Sequence, residues 1–363
     1  SSNVSWSIYN FRTPLLKSLK DDGNIIFTVA AYNKKYSKKL IDEGFNFVSV
    51  KLQNNSKNPL KDLYLVYQYY KIYKKIKPDV ICHNAIKPNI YGTIAAKFLG
   101  IPVVNNISGL GTLFIKRSLS TTIAKILYKI SQRNAEKVFC QNSVDQQEIL
   151  RNKLTKISNS EVIPGSGVDT KYFVPKRKEG EKKFRFIFIG RLIFDKGIME
   201  YIDALRILKK KHSNFEGAVL GPIYSSNDTA ITEEKLNEWV TEEIVNYLGE
   251  TDDVVKYMQT ADCLILPSYR EGLSKVLIEA SSVALPIITT DVPGCRDVII
   301  DQITGYLCKV RNSADLAIKM DLMLNMKTEE RIAMGIKGRE RAINEFDQEI
   351  IIKQYKESIY GVV

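Results

Sequence analysis

The feature that most constrains the fold is an alternation of short apolar segments with longer amphipathic segments along nearly the whole chain. Short runs rich in β-branched and aromatic residues are typical of buried strands, and the segments between them have helical length and spacing. Strands that alternate with helices of this length predict parallel sheets covered by helices on both faces. We therefore expect an α/β protein.

The first half of the chain contains one complete series of this alternation. Its predicted strands are Ile25–Ala30, Phe45–Val50, Val80–His83, Val103–Asn106, Val138–Gln141 and Glu161–Pro164. Its predicted helices are Pro14–Lys20, Lys34–Glu43, Lys61–Lys77, Ile90–Leu99, Thr121–Gln132 and Val144–Lys153. Ser1–Trp6 has the pattern of a strand end without the apolar residues that should precede it, so we expect a first strand that is missing or truncated.

The second half repeats the alternation after a charged stretch, residues 175–183, which contains Pro and Gly and is the best linker candidate. The predicted strands are Phe184–Gly190, Gly217–Leu220, Ile244–Leu248, Cys263–Leu266 and Pro286–Thr290. The predicted helices are Met199–Lys211, Glu233–Glu242, Val254–Thr260, Ser274–Ser282 and further helices from Ala314. We expect two α/β domains, 1–174 and 184–345, with ligands in a cleft beyond the carboxyl ends of the strands.

Charge is divided unevenly between the two halves. The 363 residues have a net charge of +12. Residues 1–175 carry 26 Lys and Arg against 11 Asp and Glu, whereas residues 176–363 carry 27 against 30. The excess positive charge therefore lies in the N-terminal half, where anionic lipid, a phosphorylated substrate or nucleic acid could each bind.

Other residue types narrow the functional classes. The five cysteines are widely spaced without metal-ligand spacing, which favours free thiols in a reducing cytosol. With only His83 and His212, a His-based metal site or a Ser-His-Asp triad is not expected. No apolar run approaches the ~18 residues of a membrane-spanning helix, and no signal peptide is recognisable. We therefore expect a cytoplasmic location.

Two carboxylates flank a strand-to-helix turn in the segment 267–280 (PSYREGLSKVLIEA). Glu271 lies in the turn and Glu279 lies on the following helix. The backbone N–H groups of Gly272, Leu273 and Ser274 are expected to point out of the helix N-terminus, where donors and dipole favour an anion. Both carboxylates could instead be ordinary solvated charges. A carboxylate on a largely apolar helix is costly unless it is paired, so Glu279 favours a binding role toward ribose hydroxyls.

A second charged turn, Gly190–Gly197, follows the first strand of the second domain. A glycine at the strand tip permits close approach, and Arg191 and Lys196 supply two cations that would neutralise a diphosphate. The alternative is a polar loop with surface charges. Because Glu271 follows another strand of the same domain, we favour the diphosphate interpretation.

Four other segments carry weaker signals. Gly165–Asp169 is either a turn or a backbone contact to a ligand, and Asn105–Thr112 is a weak phosphate loop because it lacks the full Gly-x-Gly-x-x-Gly spacing. Lys61–Lys77 and Lys116–Arg133 mix basic and apolar residues. Each is either a crossover helix with a buried apolar face or a surface for anionic lipid. No groove-reading or base-stacking motif accompanies them, so nucleic acid is not an expected partner.

Together these residues resemble glycosyltransferase family 4, whose members are retaining enzymes of the GT-B fold, over nearly the whole chain. Within the family, the chain looks most similar to bacterial enzymes of capsule, O-antigen and glycoprotein-glycan assembly. The motifs that carry the resemblance are Glu271-x7-Glu279, Gly190–Gly197, Gly167–Asp169, Thr304–Tyr306, Ser5–Pro14, His83–Gly92 and Ser108–Thr112.

The resemblance implies two Rossmann-like domains that face a central cleft, and a last helix, 346–363, that crosses back to the N-terminal domain. It implies catalytic roles for Arg191 and Lys196 on the donor diphosphate and for Glu271 on the donor sugar. Donor contacts would also come from Gly190, Leu248, Val254, Gly272, Leu273, Ser274 and Glu279. Acceptor contacts would come from Tyr9, Arg12, Lys87, Ser108 and Gly109, although many relatives have a His where this chain has Ser108–Gly111.

The function that the resemblance implies is transfer of a hexose or N-acetylhexosamine from a nucleotide-diphospho-sugar, with UDP favoured, to a polyprenyl-diphosphate-linked saccharide. No metal or cofactor is expected, since two cations and a helix N-terminus already face the diphosphate and no Asp-x-Asp motif is present. The enzyme is expected at the inner face of the cytoplasmic membrane. Alternatives are a soluble transferase with a small carbohydrate or phosphorylated acceptor, a nucleotide-sugar epimerase of the same fold, and a basic binding module without catalysis.

Overall fold

The structure, a computed structural model, describes residues 1–52, 59–110, 119–176, 183–223, 227 and 229–363. The chain divides into two compact units: unit 1 is Ser1–Ser166 with Gln348–Val363, and unit 2 is Gly167–Asp347. Most of the predicted linker, residues 177–182, lies outside the described residues.

The strands of unit 1 are parallel. They are β1 (Phe27–Ala30), β2 (Asn46–Ser49), β3 (Ile81–Asn84), β4 (Val103–Ile107), β5 (Lys137–Cys140) and β6 (Ser160–Val162). β1 and β2 form one pair, and β3 to β6 form a sheet in sequence order. Ser2 and Val4 make isolated parallel bridges to Asn84 and Ala31, so residues 2–4 lie between β3 and β1.

Helices follow the strands of unit 1. They are α1 (Ser5–Asp21), α2 (Lys34–Asp42), α3 (Pro59–Ile76), α4 (Thr93–Lys97), α5 (Leu119–Arg133) and α6 (Ser143–Arg151), with a π-helical turn at Pro88–Gly92 before α4. α2 and α6 begin where the sequence supplies a cap, because the side chains of Asn33 and Asn142 accept hydrogen bonds from first-turn amides. Lys116 and Arg117 of the predicted basic helix, and the glycine-loop residues Gly111 and Thr112, lie outside the described residues.

The helix predicted at Pro14–Lys20 is longer than expected. α1 begins at Ser5 and contains Pro14 in its interior. Proline normally disfavours a helix interior because it lacks an N–H donor. Here Ile8, Leu15 and Leu19 are buried at helical spacing, and their burial stabilises a continuous helix across the proline.

The strands of unit 2 form a six-stranded parallel sheet. They are β7 (Phe184–Ile189), β8 (Phe215–Leu220), β9 (Asn246–Tyr247), β10 (Cys263–Leu266), β11 (Ile287–Thr290) and β12 (Gly305–Cys308). Their order in the sheet is β12-β11-β10-β7-β8-β9. β7 therefore has β8 on one side and β10 on the other, and the order reverses at β7, as in a Rossmann sheet. The predicted strand Ile244–Leu248 is reduced to a two-residue edge strand, β9.

The helices of unit 2 cover this sheet and complete its hydrophobic core. β7, β10 and β11 end in fully buried residues, as expected for strands with helices on both faces. The helices are α7 (Ile198–Lys209), α8 (Glu233–Thr241), α9 (Val255–Met258), α10 (Lys275–Ser282), α11 (Ser313–Asn325) and α12 (Thr328–Glu345).

The border of the two units differs from the predicted domain border at residue 174. Residues 167–174 belong to unit 2 because its groups bind them: the Ser282 hydroxyl donates to the Phe173 carbonyl at 2.7 Å, and Arg339 donates to the Phe173 and Thr170 carbonyls. Gly-Val-Asp at Gly167–Asp169 is thus the first segment of unit 2.

The last helix, α13 (Gln348–Tyr360), returns to unit 1. It begins two residues after the predicted start because Phe346 is buried in the core of unit 2. Tyr355 is the centre of its packing: the ring lies 4.7 Å from the ring of Phe139, centroid to centroid, and the Arg12 guanidinium lies 5.0 Å from it. α13 therefore completes a cluster that strands β4 and β5 alone would leave open.

Candidate functional site

The charged turns predicted in the second domain emerge from neighbouring strands of unit 2. The turn Gly190–Gly197 follows β7, and the turn with Glu271 follows β10, which pairs with β7 in parallel. This is the point at which the strand order reverses, and loops diverge there to leave a crevice at the carboxyl edge of the sheet. The topology therefore puts the two turns at the usual ligand position of an α/β sheet.

Lys196 and Glu271 form an ion pair across this point. Their side chains are only 19% and 12% exposed, so solvent screens the attraction much less than at a surface. The backbone brings the turns together at Gly197, which has φ +75° and lies so close to the carbonyl of Pro267 that a Cβ would collide with it. The absence of a side chain at Gly197 thus permits the contact that positions Lys196.

The Glu271 turn is also supported from β11. Its amide donates to the carbonyl of Pro293 at 3.2 Å, and Gly294, with φ +78°, packs directly on the carbonyls of Glu271 and Gly272. The Gly294 amide in turn donates to the carboxylate of Asp297 at 2.7 Å. Sequence reasoning did not select Gly294, although a Pro-Gly pair two residues after an apolar strand is a turn signal.

The expected set of amides at the N-terminus of α10 is corrected in part. The amide of Ser274 donates to the carbonyl of Gly294 at 3.1 Å, so this donor is already used within the fold. Ser274 is the N-cap residue of α10, and its hydroxyl caps none of the described amides. Gly272 and Leu273 precede it in the turn, at the position that the sequence predicted, and the helix dipole still favours an anion there.

Glu279 lies in the second turn of α10 between the buried residues Ile278 and Ala280. Its side chain is 12% exposed, and the Nζ of Lys275 lies 4.0 Å from its Oε1. Burial raises the pKa of Glu279 to about 7, and Lys275 offsets part of this rise. A carboxylate with so little solvent is stabilised by hydroxyl donors from a ligand.

Leu248 and Val254 flank the turn that follows β9, at the same edge of the sheet. Both are half-buried and pack against the core of unit 2. Their exposed parts offer an apolar surface at the edge where the ligand is expected, and contact with a nucleotide base stays a prediction.

Gly190 and Arg191 directly follow β7. The Gly190 amide donates to the carbonyl of Leu220 at 3.0 Å, and a Cβ at Gly221 would collide with the Gly190 carbonyl. This close packing extends the β7–β8 pairing to the strand tip. Arg191 is exposed at this edge of the sheet, and its contact with a diphosphate stays a prediction.

Tyr269 is a further residue of this region that sequence reasoning did not select. Its hydroxyl donates to Glu200 on α7 at 2.7 Å, its amide donates to the carbonyl of Asp195 at 2.9 Å, and the Arg311 guanidinium lies 4.5 Å from its ring centroid. Tyr269 therefore links the β10 turn to the β7 turn. Tyrosine occurs 19 times in this chain, so no local signal distinguishes it.

Two of the predicted acceptor residues lie on α1 and are engaged within unit 1. The ring of Tyr9 lies 6.0 Å from that of Tyr36 and 4.8 Å from the Nζ of Lys39. Arg12 is 7% exposed and stacks on Tyr355. Arg12 therefore differs from its expected place on an acceptor surface, because α1 turns it toward α13. The sequence predicted the return of the last helix but not which residues it would contact.

The other predicted acceptor residues lie at strand tips of unit 1. Lys87 follows β3, and its Nζ is 3.1 Å from the carboxylate of Asp62 on α3. Ser108 is exposed directly after β4, and Gly109 follows it with φ +121°, a backbone conformation that favours glycine. These three residues share the carboxyl edge of the unit 1 sheet.

The described residues contain no group of three or more His, Cys, Asp or Glu side chains that could hold a metal ion. Metal independence stays a prediction. Within the same residues, no helix is both long and apolar enough to cross a membrane.

A Rossmann order of strands with cations and carboxylates at its reversal point is typical of nucleotide-binding α/β proteins. Two family models match consecutive parts of the chain: Glycosyl transferases group 1 matches residues 169–341, and Glycosyl transferase 4-like matches residues 2–142. The two matches fall on unit 2 and unit 1 respectively.

The chain is also similar to individual proteins over most of its length. It is 30% identical over 372 residues to the N,N'-diacetylbacillosaminyl-diphospho-undecaprenol alpha-1,3-N-acetylgalactosaminyltransferase of Campylobacter jejuni, covering 98% of this chain and 96% of that protein. It is 24% identical over 266 residues to the UDP-Gal:alpha-D-GlcNAc-diphosphoundecaprenol alpha-1,3-galactosyltransferase of Escherichia coli, covering 70% of this chain and 68% of that one.

The solved structure of Anabaena HepE in complex with UDP and glucose superposes with a TM-score of 0.79 at 17% identity, covering 98% of this chain and 95% of that chain. The chain therefore belongs to glycosyltransferase family 4 and has the GT-B fold. The resemblance, the fold class and the glycosyltransferase class expected from the sequence are confirmed.

Proposed function

We propose that this glycosyltransferase moves a hexose or N-acetylhexosamine from a nucleotide-diphospho-sugar to a polyprenyl-diphosphate-linked saccharide, with retention at the anomeric carbon. UDP is the favoured nucleotide. The half-buried pair of Lys196 and Glu271 at the strand reversal point carries the proposal. The similarity to two transferases whose names specify diphosphoundecaprenol-linked sugars supports the acceptor class.

The donor would lie at the carboxyl edge of the unit 2 sheet. Arg191 and Lys196 would bind its diphosphate, since charge-assisted hydrogen bonds to phosphate are the strongest available there. Glu279 would accept hydrogen bonds from the ribose hydroxyls, which would stabilise its buried carboxylate. Leu248 and Val254 would contact the base.

Glu271 would position the donor sugar rather than attack it. Its pairing with Lys196 holds the carboxylate beside the cation that binds the leaving diphosphate. We favour attack by the acceptor hydroxyl on the anomeric carbon from the face that the diphosphate leaves. The bond to the diphosphate oxygen breaks, the acceptor proton passes to a leaving phosphate oxygen, and the two cations and the α10 dipole stabilise the new charge.

The acceptor saccharide would bind at the strand tips of unit 1. Lys87, Ser108 and the adjoining Gly109 supply an ammonium, a hydroxyl and an accessible backbone there. Tyr9 is half-buried on α1 and could present part of its ring to a sugar.

The surface that we propose for the membrane is α5. Ile123, Ile126 and Ile130 recur at helical spacing on this helix and are 52%, 54% and 46% exposed. Lys125, Lys129 and Arg133 lie beside them in the sequence. An exposed apolar stripe flanked by cations is the pattern of a helix that lies in the interface of an anionic bilayer.

The experiment is a screen of nucleotide sugars with a short-chain polyprenyl-diphosphate sugar as the acceptor. Transfer is measured by release of the nucleotide, and the linkage in the product is then identified. Arg191→Ala should lower turnover by about two to three orders of magnitude, as for loss of one transition-state donor. Arg206→Ala, which removes a surface cation of α7 paired with Glu242, is the matched control. Unchanged turnover in Arg191→Ala would refute the assignment.

Three experimental results would each favour a different function. Transfer to small sugars, but never to the lipid-linked acceptor, would favour the soluble transferase. Conversion of the nucleotide sugar without any acceptor would favour the epimerase. The absence of donor binding, measured by calorimetry with Glu279→Ala as the reference, would favour a binding module without catalysis.

A further inference from the structure

A basic cavity lies in unit 1 at the tip of β2. It has a volume of about 340 Å³ and lies between Lys51, the first two turns of α3 and Lys87 after β3. This volume is at the lower end of the ~300–1,000 Å³ that small-molecule sites occupy. The cavity therefore has room for a compact polar group.

The charge of this cavity matches a diphosphate. Among the described residues, its walls contain three lysines, Lys51, Lys61 and Lys87, and one carboxylate, Asp62, for a formal charge of +2. A diphosphate esterified at both ends carries one negative charge on each phosphate, or about two in all. Charge complementarity of this kind favours binding and orients the ligand.

Asp62 holds the cavity in shape without cancelling its positive character. One carboxylate oxygen accepts from Lys87 at 3.1 Å, and the other accepts from the hydroxyl of Tyr91 at 2.8 Å. The side chains of Asp62 and Lys87 are largely buried. An ammonium has three N–H donors, so Lys87 can bind a phosphate oxygen while it remains paired with Asp62.

An apolar stripe begins at the cavity and follows the first two turns of α3. Leu60, Leu63, Tyr64 and Tyr67 have the spacing of one helical face and are all at least 50% exposed. Tyr64 belongs to both features, because it lines the cavity and lies within the stripe. A ligand with an anionic head and an apolar chain would match both features at once.

We propose that this cavity binds the diphosphate of a lipid-linked acceptor and that the first isoprene units of the lipid lie along the apolar stripe of α3. This inference rests on the proposed function and adds the position of the lipid carrier. Lys87, which was expected to contact the acceptor, then contacts its diphosphate. Lys61 belongs to the basic segment for which the sequence left a lipid surface open, and Lys51 becomes a binding residue that the sequence analysis did not select.

The test is calorimetric titration of the whole protein with farnesyl diphosphate, farnesol, inorganic pyrophosphate and UDP. Lys51→Ala with Lys61→Ala should weaken farnesyl diphosphate binding at least about tenfold, because two charge-assisted contacts are lost. Lys74→Ala with Lys75→Ala, on the same helix but outside the cavity, is the control and should bind normally. UDP affinity should be equal in all variants, which verifies that unit 2 is folded, and unchanged thermal unfolding by circular dichroism verifies that unit 1 is folded.

A second pair of substitutions tests the apolar stripe of α3. Leu60→Ser with Leu63→Ser should weaken farnesyl diphosphate binding and leave pyrophosphate binding unchanged. If pyrophosphate binds as tightly as farnesyl diphosphate, and the leucine variant binds both normally, the cavity takes a free diphosphate and the lipid assignment is wrong. If farnesol binds as tightly as farnesyl diphosphate, the cavity does not recognise the diphosphate and the inference is overturned.

Failure of this inference is distinguishable from failure of the proposed function. If the wild type transfers sugar to a lipid-linked acceptor and Lys51→Ala with Lys61→Ala leaves its KM unchanged, the cavity is not the acceptor site although the function stands. If the cavity binds farnesyl diphosphate as described and no sugar is transferred to any lipid-linked acceptor, the proposed function fails, and the cavity is a site for a lipid diphosphate that is not an acceptor.

Discussion

Lys196 and Glu271 are 75 positions apart in the chain and form an ion pair whose charges are largely hidden from water. Half-buried pairs of this kind contribute little net stability, but removal of one partner leaves a costly unpaired charge. Their position is therefore better explained by ligand chemistry than by stability. A donor diphosphate would provide Lys196 with a second anion at the same place.

The raised pKa of Glu279 predicts how the stability of the protein changes with pH. Its pKa is raised from 4.5 to about 7 by burial. The folded state then holds a proton that the unfolded state has released, so its contribution to stability is present below pH 4.5 and is lost as the pH rises through about 7. Glu279→Gln has no carboxyl group that titrates at this position. Its free energy of unfolding should therefore rise relative to that of the wild type by up to about 3 kcal/mol between pH 5 and pH 8.

Urea unfolding of the wild type and of Glu279→Gln at pH 5 and pH 8 measures this change in the free energy of unfolding. Glu238→Gln, at an exposed position of α8, is the matched control and should show no such gain. An equal difference between wild type and Glu279→Gln at both pH values would contradict a raised pKa for Glu279.

At the scale of elements, Gly197 decides whether the β7 turn can lie against the tip of β10. A Cβ there would collide with the Pro267 carbonyl, and φ is already +75°. We expect Gly197→Ala to lower the free energy of unfolding by more than the ~1 kcal/mol that positive φ alone costs, and to lower turnover because Lys196 is displaced. Gly249→Ala is the control, since Gly249 has φ +77° with nothing within 4 Å of its Cβ position. Equal losses in the two variants would show that the close contact is unimportant.

The exposed isoleucines of α5 predict that this helix binds anionic membranes. Ile126→Glu should weaken binding to vesicles that contain anionic phosphatidylglycerol at least about tenfold, because it puts a charge into the apolar face. Wild-type binding should also weaken with salt, because the flanking cations contribute. Cosedimentation measures both effects. Ile157→Glu, at another exposed isoleucine of unit 1, should bind as the wild type, and an equal loss in both variants would argue against α5 as the membrane surface.

The whole molecule consists of two units with separate hydrophobic cores, and α13 belongs to the first. Tyr355→Ala removes a buried ring between Arg12 and Phe139, which should destabilise unit 1 by about 3–5 kcal/mol. Each unit contains one tryptophan, Trp6 in unit 1 and Trp239 in unit 2. This distribution allows the two cores to be followed separately.

In a Trp6→Phe background, fluorescence of the buried Trp239 reports unit 2 alone. Tyr355→Ala should leave the midpoint of this transition unchanged while circular dichroism gains an earlier transition. Tyr360→Ala, at an exposed position of the same helix, is the control for loss of a tyrosine. A lower Trp239 midpoint in Tyr355→Ala would mean that the two cores do not unfold separately.

Periodicity and local chemistry in the sequence determined the α/β class, most strands and helices, and the charged turns at Arg191, Lys196 and Glu271. These features depend on neighbouring residues, so a linear pattern carries them. The extent of α1 across Pro14 was missed because long-range burial outweighs a local helix breaker. Sequence motifs also predicted the family, which the comparisons confirmed.

Only the tertiary structure decided which of these groups meet. It paired Lys196 with Glu271, used the Ser274 amide within the fold, turned Arg12 onto Tyr355, and collected Lys51, Lys61 and Lys87 around one cavity. These contacts follow from strand order and from where a returning helix packs. Such contacts join residues far apart in the chain, and no local pattern of residues encodes them.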